Sequence, residues 1–425
     1  MAMLRTFSLL LCGFWAACCV AWAQPGATTL LDARIHSLQM YVNDDAGSMP
    51  VLELGSSDVL HVSFDDLAPH YERYTYRITH CDPEGNPSDE LLEADYVERV
   101  AEDETIDDCE PSRNTTITYM HYALQLPNAR VRPLLSGNYR LTVYRENEHG
   151  EQEEVIRTNF AVVERKMSLS ATCTTNTDVD WNESHQQLAL KLATGDLYVR
   201  DPATDIRLCA LQNRRWDNAK VAVPPTAVYG NTLEWSHCRG LLFTAGNEYR
   251  KMEMLSTRYP GMHGESMRWK DTCYVYKLMD DQPRRNYLYD EDRNGQCVVR
   301  YDATGTPETE ADYVLTRFTL QMPEAEGRAL YVAGRWAEPA LTDRYRMHYN
   351  HEAGQYEADI MLKTGYYNYM YLSTPADGND AGSTQPVEGD YFQTENEYAL
   401  LVYYRAPGGR YWQLVACINP SYRPR

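Results

Sequence analysis

The alternation of hydrophobic and polar positions is clearest between Gly365 and Tyr411. There Tyr367, Tyr369 and Tyr371 alternate with other residues, a period of two that is typical of a half-buried β-strand. Tyrosine suits such a strand because its ring fills the pleated surface while its hydroxyl group can stay in water. The stretch therefore predicts the surface of a β-sheet and not a catalytic pocket.

The N-terminal third of the chain repeats this strand pattern, with turn residues between the strands. Six segments carry apolar residues at alternate or adjacent positions: Ile35–Tyr41, Val59–Phe64, Tyr74–Thr79, Ile117–Leu124, Asn138–Tyr144 and Arg157–Val163. Strands at this density predict an immunoglobulin-like β-sandwich over residues 24–165. Residues 82–110 form a long acidic interruption, which fits either a solvated surface loop or a loop that docks a partner.

Residues 166–312 predict a second, β-rich domain. Its predicted strands are Gln187–Leu192, Asp205–Leu211, Leu233–Trp235 and Cys273–Leu278, while Met252–Tyr259 fits either a strand or a short helix. Asp290–Gly295 matches the start of a calcium-binding EF-hand loop, but Tyr301 occupies the position that requires glutamate. We therefore expect a hairpin turn at Asn294 and Gly295, between strands at 286–289 and 297–301.

Residues 313–425 predict a third, immunoglobulin-like β domain, so that the whole chain is expected to be all-β. The order of its strands and aromatic residues is similar to that of starch- and glycogen-binding modules, which makes carbohydrate binding an alternative function. Against this alternative, most of the aromatic residues alternate within strands, where core packing is the more common role. The candidate partner-binding residues are Trp336, Tyr367, Tyr369, Tyr371, Tyr403, Tyr404 and Tyr411.

Residues 1–23 predict a cleaved secretory signal peptide. Arg5 supplies the positive charge, Phe7–Val20 the apolar segment, and Ala21–Ala23 a cleavage site. A membrane anchor and a lipoprotein signal at Cys18 or Cys19 are weaker alternatives. No later stretch approaches the roughly 20 apolar residues that span a bilayer, so we expect an exported chain that does not insert into a membrane.

Charge and cysteine content restrict the classes of partner and site that the chain could have. The formal net charge of −21 argues against binding to nucleic acid or to anionic lipid, and it would attract basic partners. Eight cysteines follow the predicted signal peptide, and in an oxidising compartment some of them could pair. Cys81 and Cys109, which bracket the acidic interruption, are the candidate disulfide. No CxxC motif supports a zinc site or a thioredoxin-like centre.

The sequence contains no motif of a common enzyme class. It has no Gly-x-Ser-x-Gly elbow, His-Glu-x-x-His motif, phosphate-binding loop or dinucleotide fingerprint. His348 and His351 lie beside a turn near Glu352, where solvated histidines are more common than metal ligands. We therefore expect a binding or structural protein that is not an enzyme and holds no cofactor or metal.

A set of short motifs resembles one known family over nearly the whole chain after the signal peptide. They are Leu54–Asp58, Val62–Leu67, Tyr76–Asp82, Pro87–Ser88, Tyr119–Tyr122, Leu135–Tyr139, Thr175–Trp181, His185–Gln187, Gln212–Asp217, Gly246–Arg250, Glu310–Tyr313, Gly365–Tyr369, Thr394–Tyr398 and Val402–Tyr411. In this collinear order they resemble the type IX secretion system plug protein family of Bacteroidetes, formerly a domain of unknown function.

The resemblance implies a non-enzymatic periplasmic protein that is held at the outer membrane through its partner. That partner would be the large outer-membrane translocon β-barrel, whose periplasmic opening the plug closes until a cargo-loaded state displaces it. The family supplies no catalytic residues. A carbohydrate-binding protein using the third domain is the first alternative, and cargo of the same secretion system is the second. The C-terminal end, Asn419–Arg425, does not resemble the sorting module that cargo would need.

Overall fold

The computed structural model describes residues 26–99, 104–338, 341–376 and 380–423. The predicted signal peptide lies outside the described residues. No helix in the described part of the chain is long and apolar enough to cross a bilayer.

The regular structure is almost entirely β, as predicted. The first part contains β1 (Thr29–Leu30), β2 (Ile35–Val42), β3 (Val51–Glu53), β4 (Leu60–Asp66), β5 (Tyr74–Cys81), α1 (Glu93–Tyr96), β6 (Val97–Arg99), β7 (Glu104–Thr105), β8 (Asp108–Pro111), β9 (Met120–Leu126), β10 (Val131–Pro133), β11 (Gly137–Glu146) and β12 (Gln152–Val163). The described residues of the acidic interruption thus contain α1 and short strands.

The remaining elements follow in two groups. The middle group is β13 (Ser168–Thr174), β14 (His185–Ala193), α2 (Pro202–Asp205), β15 (Ile206–Gln212), β16 (Ala227–Tyr229), β17 (Thr232–Trp235), a 3-10 turn (Arg239–Leu241), β18 (Leu242–Thr244), β19 (Arg250–Met254), β20 (Gly264–Lys270), β21 (Cys273–Leu278) and β22 (Cys297–Val299). The last group is α3 (Pro307–Glu310), β23 (Tyr313–Leu320), β24 (Arg328–Ala333), a 3-10 turn (Asp343–Tyr345), β25 (His348–Asn350), β26 (Gln355–Lys363), β27 (Gly365–Pro375), β28 (Asn396–Tyr404), β29 (Gln413–Ile418) and β30 (Ser421–Tyr422).

The first core lies between a sheet of order β2-β4-β9-β8 and a second sheet that contains β5, β11 and β12. Alternate residues of β5 are buried, which is the pattern that predicted the strand. At the centre the Tyr122 ring stacks on Phe64 at 5.2 Å and meets Tyr74 edge-on at 4.9 Å. The predicted β-sandwich character of this region is confirmed.

The second core joins two distant parts of the chain. Sheet β13-β14-β17-β16 packs with β15, β28 and β29, so the C-terminal strands contribute to a core that begins near Met167. Trp235 is fully buried there, and its indole nitrogen donates a hydrogen bond to the Val223 carbonyl oxygen at 3.0 Å. The chain therefore returns to this core after leaving it at β18.

The third core lies between β20-β21-β23-β26-β25 and the strands β19, β22, β24 and β27. It groups residues from 252 to 387, whereas the sequence predicted domains of 166–312 and 313–425. Whether the predicted domains fold independently stays a prediction. The packed cores, however, cross the predicted boundary between residues 312 and 313. The reason is that Met252 and Tyr276 pack with Phe318, while Tyr398 packs with the second core.

The turn predicted at Asn294 and Gly295 is present, with φ angles of 49° and 86°, but the hairpin prediction is wrong. β22 pairs with β27, and residues 286–289 are not in a strand. The Asp292 carboxylate caps this turn by accepting the Asn294 N–H at 2.6 Å. The apparent EF-hand residues therefore serve the turn. Of the ambiguous segment Met252–Tyr259, the first three residues lie in β19, and residues 255–259 form neither a strand nor a helix.

One sheet connects the first and second cores. Its strand order is β15-β28-β29-β12-β11-β5-β7, with β12 and β29 running parallel where Val163 meets Leu414. The Glu164 and Lys166 N–H groups continue the connection to the carbonyl oxygens of Leu414 and Val415 at 2.9 and 3.0 Å. A shared sheet resists bending between the two cores, because a hinge there would break backbone hydrogen bonds.

Replacement of Gly137 by alanine tests how tightly this sheet packs. Gly137 has φ of 144°, and a Cβ atom there would collide with the His80 ring and lie 2.9 Å from the Trp412 carbonyl oxygen. We expect G137A to lower the free energy of unfolding by about 2–4 kcal/mol, measured by urea denaturation. G55A is the control, because Gly55 has φ of 79° but open space around it, and about 1 kcal/mol is expected. Equal losses would contradict the packing explanation.

Candidate functional site

All but one of the tyrosines predicted to contact a partner are buried inside the protein. Tyr369 and Tyr371 are fully buried, and their hydroxyl groups donate to the Asp281 carboxylate at 2.8 and 2.7 Å. Arg250 donates to the same carboxylate at 2.7 Å, which supplies the compensating charge. In this conformation these tyrosines offer no surface to a partner.

The other predicted contact residues also have partners within the protein, and of these Trp336 and Tyr411 are half-buried. The Tyr403 hydroxyl donates to Asn138 at 2.8 Å, and the Tyr404 hydroxyl to the Tyr198 carbonyl oxygen at 2.7 Å. Tyr367 donates to the carbonyl oxygen of Lys363. The remaining two are Trp336, whose indole N–H donates to the Asn368 carbonyl oxygen at 2.8 Å, and Tyr411, which packs edge-on against His80 at 5.4 Å.

A sequence signal for this burial was available. β27 carries eleven residues without a single charged side chain, and almost all of them are buried on both faces. A strand that is buried on both faces reads as a continuous uncharged run, whereas a half-exposed strand carries charged residues on alternate positions. The alternation of tyrosines correctly indicated a strand. The absence of charged residues from that strand was the sign that both of its faces are buried.

The predicted disulfide is not formed, because Cys81 and Cys109 are both free. Cys81 lies in β5 and Cys109 in β8, which belong to different sheets of the first core. Burial raises the pKa of the Cys81 thiol to about 11, which disfavours the thiolate needed for disulfide exchange.

The most concentrated polar contact between cores surrounds Asp65. Lys363 Nζ and the Tyr313 hydroxyl both donate to Asp65 Oδ2 at 2.6 Å, and His121 Nδ1 lies 2.7 Å from Oδ1. Asp65 and Lys363 have side chains only 1% and 2% exposed. Burial lowers the pKa of Lys363, and the Asp65 charge opposes that shift. The Lys363 ammonium also lies 4.2 Å from the Tyr119 ring centroid.

Backbone contacts extend this junction between the first and third cores. The Asp312 carboxylate accepts the N–H groups of Thr116, at 2.9 and 3.0 Å, and of Ile117, at 3.2 Å. The Tyr119 hydroxyl donates to the Ala311 carbonyl oxygen at 2.8 Å. Together with the Asp65 cluster, these bonds join the two cores through a buried charge pair and a half-exposed set of backbone contacts beside it.

A cavity of about 220 Å³ lies where the three cores meet. Its walls are largely apolar, but Arg214, Arg335 and Glu338 also line it. Arg214 donates to the Ser48 carbonyl oxygen at 2.7 Å, and Arg335 to the Glu397 carboxylate at 2.6 Å, so each guanidinium links two cores. Burial raises the pKa of Glu338 to about 7.

An acidic cleft of about 700 Å³ opens beside this cavity, lined by Asp45, Glu248, Glu291, Asp292, Glu395 and Glu397 among others. Burial raises the pKa of Glu248 to about 7 and that of Asp292 to about 6. Glu248 accepts the Tyr287 hydroxyl at 2.7 Å and the Glu395 N–H at 3.1 Å. Among the described residues, no group of three or more histidine, cysteine, aspartate or glutamate side chains is arranged to hold a metal.

Sequence reasoning did not identify Asp65 and Lys363. The available signal was a charged residue near the end of a strand whose alternate positions are apolar, since β4 and β26 both have buried alternate positions. Such residues are rarely buried unless they are paired. The pairing itself could not be predicted, because 298 positions separate the two residues.

Replacement of Lys363 by methionine should destabilise the protein strongly. K363M would leave the Asp65 carboxylate buried without its cation, and we expect the free energy of unfolding to fall by about 3–5 kcal/mol. R317M is the control in the neighbouring strand, because the Arg317–Asp359 pair is partly exposed, with both side chains 36% accessible. For R317M we expect a loss of about 1 kcal/mol or less in the free energy of unfolding. If urea denaturation gave similar losses for K363M and R317M, burial of the Asp65–Lys363 pair would not explain its contribution to stability.

The contribution of Glu248 to the free energy of unfolding should fall as the pH rises. Its pKa is about 7 in the folded protein, above the unfolded value, so its favourable contribution is complete at low pH and is lost through pH 7. We expect E248Q to raise the melting temperature relative to wild type more at pH 8 than at pH 5. Glu352 lies on an exposed turn, so E352Q should show the same difference at both pH values. An E248Q effect independent of pH would contradict the assignment.

Comparison with known proteins identifies the family. The model of the type 9 secretion system plug protein 1st domain matches residues 35–164, which include nearly the whole first core. No curated protein matches the chain.

A crystal structure of a hypothetical protein from Parabacteroides merdae ATCC 43184 is similar over almost the full length. It is 36% identical, with a TM-score of 0.89, and the alignment covers 94% of this chain and 100% of that chain. BcpA, the major pilin subunit of Bacillus cereus, aligns at 8% identity over 51% of this chain and 60% of the pilin, with a TM-score of 0.15, too low to bear on the fold. The chain belongs to the type IX secretion system plug protein family.

Proposed function

We propose that the chain is a periplasmic plug that binds and closes the periplasmic opening of the type IX outer-membrane translocon barrel. The match of the first core to the plug family carries this proposal. The family is a structural component of the secretion system and not a known enzyme family. In this role the chain is exported and associates with the outer membrane through its barrel partner, without inserting into the lipid.

The way the cores are joined supports this role. A body that obstructs a wide pore must keep its shape when it is pushed from one side. Here the Asp65–Lys363 pair links the first and third cores, and the sheet through β12 and β29 links the first and second. Arg335 and Glu397 link the third and second. Deformation at any of these junctions would expose buried charge or break backbone hydrogen bonds.

Net charge fits the same role. A charge of −21 keeps a large β-rich protein soluble and limits self-association at high local concentration. It also favours approach to a partner whose facing loops are basic. Neither property requires a pocket for a small substrate.

The carbohydrate-binding alternative is not favoured. A stacking platform needs aromatic faces that are open to solvent, whereas Trp336 packs against Phe318, Tyr345 and Tyr367 with its N–H bound internally. The nearby tyrosines of β27 are buried in the third core.

Affinity capture from detergent-solubilised outer membranes tests the proposal. The chain, tagged at its C-terminus and expressed in its native host, should recover one very large barrel protein in a nearly equal molar amount. A tagged acidic periplasmic protein of unrelated fold is the control for charge-driven recovery. If no barrel is recovered by the chain, or if the control recovers it equally, the plug function is wrong.

A further inference from the structure

The first strand of the second core, β13, is an open sheet edge. It ends the sheet β13-β14-β17-β16, and it pairs on its inner side with β14 from Ser168↔Ala193 to Thr174↔Gln187. Within the described residues, no backbone hydrogen bond is made on its outer side. Because amides and carbonyls of a strand point alternately to its two sides, a row of unpaired donors and acceptors faces outward.

This edge lacks the features that normally prevent pairing with another chain. Its seven residues, Ser-Leu-Ser-Ala-Thr-Cys-Thr, include no charged residue and no proline, and the pairing with β14 is continuous without a bulge. Natural sheets usually protect long edges with lysine, proline, bulges or covering segments. On β13 the serine and threonine side chains are exposed, while Leu169, Ala171 and Cys173 pack on the second core.

Several other end strands in the described part of the chain are protected. β20 carries Glu265, Arg268 and Lys270 and has an irregular pairing near its start. β15 is covered by Lys220, whose backbone exchanges two hydrogen bonds of 2.9 Å with Ala210. β2 is bulged and is contacted by a residue of the third core, and β7, β8, β16 and β25 have only two to four residues. Among these end strands, β13 alone is long, uncharged and uncovered.

We propose that β13 is the docking edge of this plug, which takes an uncharged or basic β-strand from the translocon partner by strand addition. The proposal rests on the plug function proposed above. Added main-chain hydrogen bonds would provide affinity, and alternate side chains would provide specificity. A second copy of the chain is disfavoured as the occupant, because each copy carries a net charge of −21 and the two would repel.

The pattern of β13 also predicts the sequence of the added strand. Small or apolar side chains should lie beside Leu169, Ala171 and Cys173, where they would extend the second core. Polar side chains should lie beside Ser170 and Thr172, on the face exposed to water. A partner strand with acidic residues would be disfavoured by the charge of the plug.

Site-specific photo-crosslinking of the full chain in its native host tests the contact. A photoreactive residue at Ser170 or Thr172 should crosslink to the barrel protein. The same residue at Val228 is the matched control, because Val228 is exposed on the opposite end strand of the same sheet. Crosslinks from Val228 alone, or crosslinks from β13 to a second copy of the chain, would overturn the proposal.

Proline substitution supplies a second measurement. Neighbouring amides point to opposite sides of β13, so one of A171P and T172P removes an outward amide and leaves the β14 ladder intact. The variant that keeps the wild-type melting temperature should recover at least about tenfold less barrel than wild type in affinity capture. If that variant recovers the barrel fully, strand addition is wrong while the plug function stands. If wild type itself recovers no barrel, both are wrong.

Discussion

The contact on which the assembly depends is the buried pair between Asp65 and Lys363. Neither charge can reach water, so each is stable inside the protein only while the other is in place. Tyr313 and His121 complete the set of partners around Asp65, and the strands that carry these four residues come from the first and third cores. This ion pair therefore fixes the relative position of the two cores. A buried ion pair tolerates far less displacement than an apolar contact does, because each charge needs its partner at short distance.

The same logic recurs at the other buried charges. In the third core, Arg250 bonds to both Asp281 and Glu388, and the carboxylate of Asp281 also accepts two tyrosine hydroxyls. Tyrosine is abundant in this protein because it can fill a core with its ring and satisfy an internal carboxylate or carbonyl with its hydroxyl. A strongly acidic chain can thus bury a carboxylate such as that of Asp281 by surrounding it with several hydrogen-bond donors. The result is a body held together by directional bonds, which is a suitable construction for a plug.

Features that depend on neighbouring residues were predicted correctly, whereas features that depend on distant strands were not. The strand at Cys273–Leu278 was predicted to the residue, because its periodicity depends only on neighbouring positions. The exposure of Tyr369 and Tyr371 was predicted wrongly, because it depends on strands far away in the sequence that cover both faces of β27. The Cys81–Cys109 pair failed for a related reason, since proximity along the sequence did not place the two thiols in the same sheet. The turn at Asn294 was correct, yet its following strand pairs with β27 and not with the preceding segment.

Local periodicity, composition and collinear motifs were sufficient to predict the all-β class, the positions of most of the longer strands, the net acidity and the family. Three features became visible only when the strands were packed together: the return of β28 and β29 to the second core, the contact between Asp65 and Lys363, and the open edge at β13. The physical reason is that strand pairing and burial are cooperative properties of segments hundreds of residues apart. Hydrogen bonds between such segments leave no periodic trace in either segment alone.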